Sequence, residues 1–201
     1  LTVRALPSGT LFPQELSQYD PWVLREALHN AIAHQDYGRH GRITVVEFPD
    51  RVLITNVGDF LPGNVQTVIH QDAPQELYRN RMLVDAMVEL NLIDTQGGGI
   101  KRMFETQRRR SFPLPDYDLS TPERVQVAIS GRILDERYTQ LLMQQPDLSL
   151  NEVILLDRIQ KGLPINRDEH QQLKKQRLVE GRFPNLIVSA SVAKATGETA
   201  R

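Results

Sequence analysis

The sequence contains no cysteine, which excludes disulfide bonds, thiolate nucleophiles and thiolate metal sites together. It also has no run of about 18 apolar residues, and its N-terminus lacks the basic and then apolar pattern of a signal peptide. These absences predict a cytoplasmic protein that has no membrane partner. The chain begins with Leu1 and not with methionine, so we expect it to be part of a longer protein.

Neither sign of charge is in excess, because 24 Lys and Arg residues face 25 Asp and Glu residues and the formal net charge is -1. A nucleic-acid partner would therefore need a local basic face. Hydrophobic residues make up 40% of the sequence and charged residues 24%, which is ordinary globular usage and excludes a disordered chain. The length of 201 residues suits one or two domains.

The first strong pattern predicts a helix up to about His34. Asp20 and Pro21 are typical of a helix start, since aspartate accepts from the first backbone amides and proline suits the first helical position. Apolar residues then recur at helical spacing and predict one buried stripe, formed by Val23, Leu24, Ala27, Leu28, Ala31 and Ile32. Glu26 and Asn30 lie off that stripe and one turn apart, so they share a face.

Such a carboxylate and amide can align a water molecule and ligate a hard cation. Taken alone, a Glu and an Asn four residues apart more often belong to a solvated helix face.

Further elements are predicted along the first two thirds of the chain. They are a strand pair over residues 43–48 and 52–55, a helix from Glu76 or Arg79 to Leu90, a helix from Ile100 to about Arg109, and a strand over residues 124–133. The glycine run at the entrance of the Ile100 helix consists of Gly97, Gly98 and Gly99. Amides at such a helix entrance, together with the helix dipole, favour an anion.

The last third predicts a helical connector, two helices over residues 150–161 and 167–176, and a hairpin over residues 178–189. This order is typical of a winged helix. Its candidate DNA contacts are Arg167, Lys174, Lys175, Arg177 and Arg182. Asp168 and Glu169 dilute this charge, so we expect phosphate contacts more than base reading. The alternative is a module used for protein contacts or dimerisation.

Three segments together resemble the motifs of a known class of proteins. Residues 26–34 resemble the N-box, residues 56–62 the G1 box and residues 97–100 the G2 box of the GHKL ATPases, which include gyrase, histidine kinases and MutL. The longer pattern in residues 25–37, 56–62 and 97–103 is similar to the C-terminal region of RecG-like ATP-dependent helicase and transcriptional-regulator homologues. Residues 178–185 resemble the winged-helix hairpin of the same proteins.

The resemblance implies ATP and Mg²⁺ as cofactors and a role for each motif residue. Glu26 would be the general base, and Asn30 would coordinate magnesium and bind the nucleotide. Asn56 and Gly58 would lie at the adenine, and Gly97, Gly98 and Gly99 would leave amides for phosphate. The sequence departs from the family pattern at Asn56, where an aspartate is expected, and at Phe60, where a second glycine is expected. An asparagine keeps one acceptor oxygen but lacks the charge.

The resemblance also implies an α/β fold, namely a two-layer sandwich of GHKL (Bergerat) type with a mixed sheet, plus a small winged-helix domain. The expected boundaries are an N-terminal arm over residues 1–19, the ATPase-like domain over 20–133, a helical connector over 134–148, the winged-helix-like domain over 149–193 and a tail over 194–201. The implied function is a nucleotide-responsive, DNA-binding transcriptional regulator, in which Mg-dependent ATP hydrolysis would act as a switch. The alternative is a non-catalytic scaffold that acts only through DNA binding or as a homodimer.

A motor function is not expected, because the sequence contains no Walker GxxxxGK[ST] loop. His34, Asp36 and Tyr37 belong to the family pattern, but the chemistry does not require them, and we interpret them as a helix end. Four basic residues could meet phosphates or be solvated, namely Arg79, Arg81, Lys101 and Arg102.

Overall fold

The structure is a computed structural model, and it describes residues 2–5, 14–70, 78–93 and 97–189. The chain divides into two compact units. The sheet unit comprises Gln18–Gln107 and Pro115–Gly131, and the helical unit comprises Leu1–Ser17, Arg108–Leu114 and Arg132–Arg201. Two expectations lie outside the described residues. They are the start of the second predicted helix at Glu76 and the tail over residues 194–201. The domain boundaries expected from the sequence stay a prediction.

The strands and helices are numbered in chain order. The strands are β1 (Thr2–Ala5), β2 (Gln14–Ser17), β3 (Thr44–Glu47), β4 (Arg51–Val57), β5 (Asp116–Asp118), β6 (Arg124–Ser130), β7 (Val179–Arg182) and β8 (Asn185–Val188). The helices are α1 (Pro21–His34), α2 (Val65–His70), α3 (Arg81–Glu89), α4 (Gly99–Arg109), α5 (Glu136–Gln144), α6 (Leu150–Gln160) and α7 (Arg167–Lys175). A short 3₁₀ helix, Tyr37–Arg39, follows α1.

Helix α1 forms where its cap and its apolar spacing predict it. The Asp20 carboxylate accepts from the amides of Trp22 at 2.9 Å and Val23 at 3.1 Å, and Pro21 is the first helical residue. The predicted stripe is confirmed, since its members are buried or partly buried in two apolar clusters. Glu26 and Asn30 do not belong to this stripe and lie on a different face of α1.

The main sheet has four strands in the order β3-β4-β6-β5. One face of β4 buries Val52, Ile54 and Asn56, and α1 packs against β4 and β6. The core between helix and sheet consists of Val23, Ala27, Ala31, Val52, Ile54, Met103, Val127 and Ile129. Side chains alternate between the faces of a strand, so the apolar face of β4 carries the buried polar residue Asn56 at its end.

The expected mixed sheet is wrong for the described residues, because all three strand pairs of this sheet are antiparallel. The strands come as two hairpin-like pairs, β3 with β4 and β5 with β6, which join through β4 and β6. The long segment between β4 and β5 brings the chain back to the sheet, so β6 lies antiparallel to β4. Ile54 pairs with Val127, and Asn56 pairs with Val125.

Two elements of the sheet unit were not predicted from the sequence. Strand β5 has only three residues, and Tyr117 within it pairs with Val127 of β6. Helix α2 has six residues and buries Val68 and Ile69, although it follows a loop that contains Pro62 and Gly63. Both elements are too short to show a clear period in the sequence.

The helical unit contains α5, α6, α7 and the β7–β8 hairpin, and the predicted helices and hairpin of the last third are confirmed. Ser149 and Glu152 form a reciprocal capping box at α6, and Asn166 and Glu169 form another at α7. The predicted connector helix, α5, packs against α6 and buries Tyr138. Helix α5 is therefore part of this unit's core.

A buried ion pair holds one segment of the helical unit in place. Asp157 and Lys161 lie one turn apart on α6, and their side chains are 7% and 9% exposed. The Asp157 carboxylate accepts from the Leu114 amide at 3.0 Å, and the Lys161 ammonium donates to the Leu114 carbonyl at 2.9 Å. Both charges are thus paired and hydrogen-bonded, as burial requires.

Candidate functional site

A cavity of about 370 Å³ lies in the sheet unit between α1, the end of β4 and the entrance of α4. Its polar lining comes from Glu26, Asn30, His34, Asn56, Asp59, Gly97, Gly98, Gly99, Arg102 and Tyr117. These residues come from segments far apart in the sequence. The cavity volume is in the range of small-molecule sites, which are concave and carry a few convergent polar groups.

Glu26 and Asn30 share one edge of this cavity. The Asn30 amide nitrogen donates to Glu26 Oε1 at 3.1 Å, and both side chains are half-buried. Because the amide nitrogen is used in this way, the amide oxygen of Asn30 is the atom that would face a cation. The structure thus places the Glu26 carboxylate and the Asn30 amide side by side, as their spacing predicts.

The entrance of α4 lies directly against Glu26. A Cβ atom added to Gly99 would lie 1.8 Å from Glu26 Oε1 and 2.8 Å from the carboxyl carbon. No side chain fits in that space, so residue 99 has to be a glycine while Glu26 keeps this position. At this entrance the Arg102 amide donates to the Gly98 carbonyl at 2.8 Å.

Asn56 forms a polar part of the cavity wall at the end of β4. It is 5% exposed, and its amide nitrogen donates to the Val57 carbonyl at 3.3 Å. This hydrogen bond is long and therefore weak. An amide side chain also carries both a donor and an acceptor, which a ligand can use. The position suits contact with a ligand ring, while base reading by Asn56 stays a prediction.

Gly58 is the one predicted nucleotide residue that is not part of the cavity lining. It is buried, has a φ of 123° and donates its amide to the Glu123 carbonyl at 2.7 Å. Arg79 and Asp36 lie 3.3 Å from where its Cβ would be. The backbone angle and these neighbours account for a glycine at this turn. Its approach to the adenine stays a prediction.

The loop after α1 has the structural role expected for a helix end. Asp36 caps the 3₁₀ helix through the Gly38 amide at 3.2 Å and forms an ion pair with Arg79 at 3.4 Å. The buried Gln35 side chain accepts from the Val57 amide at 2.9 Å and donates to the Gly41 carbonyl at 3.0 Å. These contacts join the end of α1 to the end of β4 and fix the distance across the cavity.

Several cavity residues were not found by sequence reasoning. Tyr117 and Phe60 face each other with ring centroids 6.0 Å apart. Burial raises the pKa of Tyr117, and the nearby Glu26 carboxylate raises it further, so this hydroxyl stays protonated. Asp59 also lines the cavity and accepts from the Glu123 amide at 3.2 Å. Asp59 directly follows Gly58 in the G1-like segment, which is the one signal that could have identified it.

Two ring contacts shape the walls of the cavity. The Arg102 guanidinium lies 4.5 Å from the ring centroid of Trp22, so it is held at the α4 side of the cavity by a cation–π contact. The rings of His34 and Tyr78 stack at 6.2 Å. Burial lowers the pKa of His34, with a further contribution from the Arg79 charge. Of the four basic residues considered for phosphate contact, only Arg102 lines the cavity.

The basic residues of the helical unit lie on its surface. Arg167, Lys174, Lys175, Arg177 and Arg182 are all exposed. The Arg167 guanidinium lies 6.0 Å from the Phe183 ring centroid, and the His170 ring lies 5.6 Å from it. Residues seven apart share a helix face, whereas Lys175 is rotated from Lys174 by about 100°. The structure therefore brings Arg167, Lys174 and the hairpin tip onto one side of α7. Their contact with DNA stays a prediction.

The described residues of the sheet unit form an α/β domain with a four-stranded antiparallel sheet and a cavity lined by several polar groups. The model of the family described as "Putative ATP-dependent DNA helicase recG C-terminal" matches residues 40–129. The resemblance to the RecG-like C-terminal region is thereby confirmed for this segment. The matched segment includes Asn56, Gly58 and Gly97 to Gly99, and it begins after Glu26 and Asn30. The helical segments after β6 lie outside it.

Among solved structures, the chain is similar to the DIP2311 protein from Corynebacterium diphtheriae, with a TM-score of 0.57 and 18% sequence identity. The match covers 94% of this chain and 42% of that chain, so this chain spans less than half the length of that protein. At this level of identity the likeness shows the fold alone. No curated protein matches the sequence.

Two kinds of feature are absent from the described residues. No three His, Asp or Glu side chains among them lie close enough together to hold a metal ion. In the same part of the chain, no helix combines the length and the apolar character that crossing a membrane requires.

Proposed function

We propose that the sheet unit binds ATP with Mg²⁺ in the cavity described above and that the helical unit contacts DNA. The protein would then be a nucleotide-responsive, DNA-binding regulator. The observation that supports this proposal best is the convergence of Glu26, Asn30, Asn56 and the α4 entrance on one cavity. Asn56 and the α4 entrance belong to the segment that matches the ATPase-like family.

Each cavity residue has a definite part in this proposal. Glu26 accepts a proton from the attacking water, and Asn30 lies beside it on the same helix face. Asn30 holds the cation through its amide oxygen, and Asn56 reads the purine ring. The amides at the α4 entrance and Arg102 bind phosphate oxygens. Magnesium, when bound, neutralises phosphate charge and supports the leaving group.

Hydrolysis would act as a switch. The sequence has no Walker GxxxxGK[ST] loop, which P-loop motors use to hold the nucleotide phosphates. Nucleotide binding and loss can instead shift a protein between two states that bind DNA differently.

The nucleotide part is tested by thermal stability and turnover measured on the same preparations. ATP with Mg²⁺ at a hundredfold its dissociation constant should stabilise the chain by about 2.7 kcal/mol. Glu26→Gln should lower phosphate release by about a hundredfold or more without loss of nucleotide binding, because it removes only the general base. Absence of both binding and release at millimolar nucleotide would disprove the ATPase proposal.

The DNA part rests on the side of α7 that carries Arg167 and Lys174 beside the hairpin tip. Lys174→Glu should weaken binding to all duplex sequences alike and flatten its dependence on salt, because fewer counterions are released. Arg137→Glu is the matched control, since it makes the same charge reversal at an exposed arginine on α5 in the same unit. Equal affinity of the Lys174 variant and the control across salt would exclude this face.

A second function follows from Asn56, which stands where the family pattern has an aspartate. Loss of that charge favours a scaffold that keeps the fold but binds no nucleotide and acts through DNA binding or dimerisation alone. The thermal experiment separates the two functions, since a scaffold would show no shift with nucleotide.

A further inference from the structure

The Glu26 carboxylate lies where the phosphates of a nucleotide would have to bind. Its Oε1 atom lies 1.8 Å from the point where Gly99, the first residue of α4, would carry a Cβ. The same oxygen accepts the Asn30 amide at 3.1 Å. One oxygen atom of Glu26 is thus held between a side-chain donor on α1 and the amino end of α4.

The amino end of a helix stabilises a negative charge, and it does so for a carboxylate as well as for a phosphate. This end of α4 is also a wall of the 370 Å³ cavity, so a ligand in that cavity would meet Glu26 there. Two anions cannot share one helix end without strong repulsion.

We propose that Glu26 is a built-in competitor for the phosphate position, which lies at the amino end of α4 in the ligand-free protein and must move aside when a nucleotide binds. This inference rests on the proposed function and adds regulation to it. The glycine at position 99 permits the competition, because a Cβ there would push the carboxylate out of its present position. Asn30 lies one turn along the same helix, so the displaced carboxylate stays close to the proposed cation ligand.

Tyr117 lines the same cavity as Glu26. Burial raises the pKa of Tyr117, and the Glu26 charge raises it further, so the two groups influence each other electrostatically.

The test compares affinities for three probes in the full chain: a nonhydrolysable ATP analogue with Mg²⁺, inorganic pyrophosphate with Mg²⁺, and adenosine. Glu26→Gln should bind the analogue and pyrophosphate about tenfold more tightly than the parent, because one like charge next to the phosphates is gone. Adenosine affinity should not change, since it carries no phosphate. Glu26→Asp, which withdraws the charge by one methylene, should show a smaller gain.

Glu105→Gln is the control, because it removes one carboxylate charge from α4 itself, farther from the amino end of that helix. It should leave all three affinities unchanged. Equal or weaker binding of the phosphate probes by Glu26→Gln would overturn the competition while the nucleotide site stands, and so would an equal gain for adenosine. If the parent and every variant bind none of the probes, the proposed function itself fails.

Discussion

The two units use their buried polar side chains in different ways. In the helical unit, Asp157 and Lys161 pair with each other and with both backbone groups of Leu114, so their charges serve the packing of that segment. In the sheet unit, Glu26, Asn30 and Asn56 line a cavity. A polar group enclosed by protein partners stabilises the fold, whereas one at a cavity wall can serve a ligand. The comparison predicts that substitutions should cost stability in one unit and binding in the other.

The largest effect is expected at the buried ion pair. Asp157→Ala leaves the Lys161 charge buried without its partner and removes the acceptor of the Leu114 amide, so unfolding should require about 3–5 kcal/mol less free energy. Adding Lys161→Met should recover a large part of this loss, because no unpaired charge remains. Urea unfolding of the parent and both variants measures the difference. A loss below about 1 kcal/mol for the single variant would contradict the comparison.

A smaller effect is expected at the cavity edge. Asn30→Ala should weaken binding of ATP with Mg²⁺ by about tenfold, because the cation loses a ligand. Its free energy of unfolding should change by less than about 1 kcal/mol, since the side chain is half-buried and lies off the apolar stripe. Asn151→Ala, at an exposed asparagine of α6, should change neither property. A large loss of stability without a loss of affinity would place Asn30 with the structural residues.

A change in the preference for adenine over guanine nucleotides is expected at Asn56. Asn56→Asp should tighten ATP relative to GTP by about tenfold or less, because a carboxylate accepts from the adenine amino group and repels the guanine carbonyl. Titration of both nucleotides against the parent and the variant gives this ratio. An unchanged ratio would remove Asn56 from base reading and leave it as a polar residue of the wall.

The smallest effect is a dependence of stability on pH at His34. Because burial lowers its pKa, the folded protein binds this proton less readily than the unfolded chain does. Its contribution to stability is therefore present above the ordinary histidine value of about 6.5 and is lost as the pH falls through the lowered value. The free energy of unfolding is measured at pH values on both sides of that window. As the pH is lowered, it should decrease less steeply in the His34→Asn variant than in the parent. Equal slopes would show that His34 does not carry this dependence.

The sequence predicted helices well where caps and period agree. Asp20 with Pro21 predicts the start of α1, and the structure contains that start. The helices predicted over residues 150–161 and 167–176 also form, and each begins with a capping box. It could not predict strand direction, since β4 pairs with β6 across a long intervening segment. The three-residue β5 and the short α2 give no periodic signal, so Tyr117 was missed together with β5.

The residues of the candidate site were predicted from their spacing and from the family resemblance, more than from arguments about packing or charge. The four-residue spacing of Glu26 and Asn30 places them on one face, as their hydrogen bond confirms. That the Gly97 to Gly99 segment would meet this face depends on long-range packing, which local patterns do not encode. Long-range packing also explains why Gly58 does not line the cavity. Its turn packs against Arg79 and Asp36, which are distant in the sequence.

The contact between Gly99 and Glu26 also constrains how this domain can diverge. A Cβ at position 99 would require the Glu26 carboxylate to turn away, so the two positions are coupled through the space they share. A relative with alanine or serine in place of Gly99 should therefore carry a shorter residue in place of Glu26 or hold its carboxylate farther from the amino end of α4.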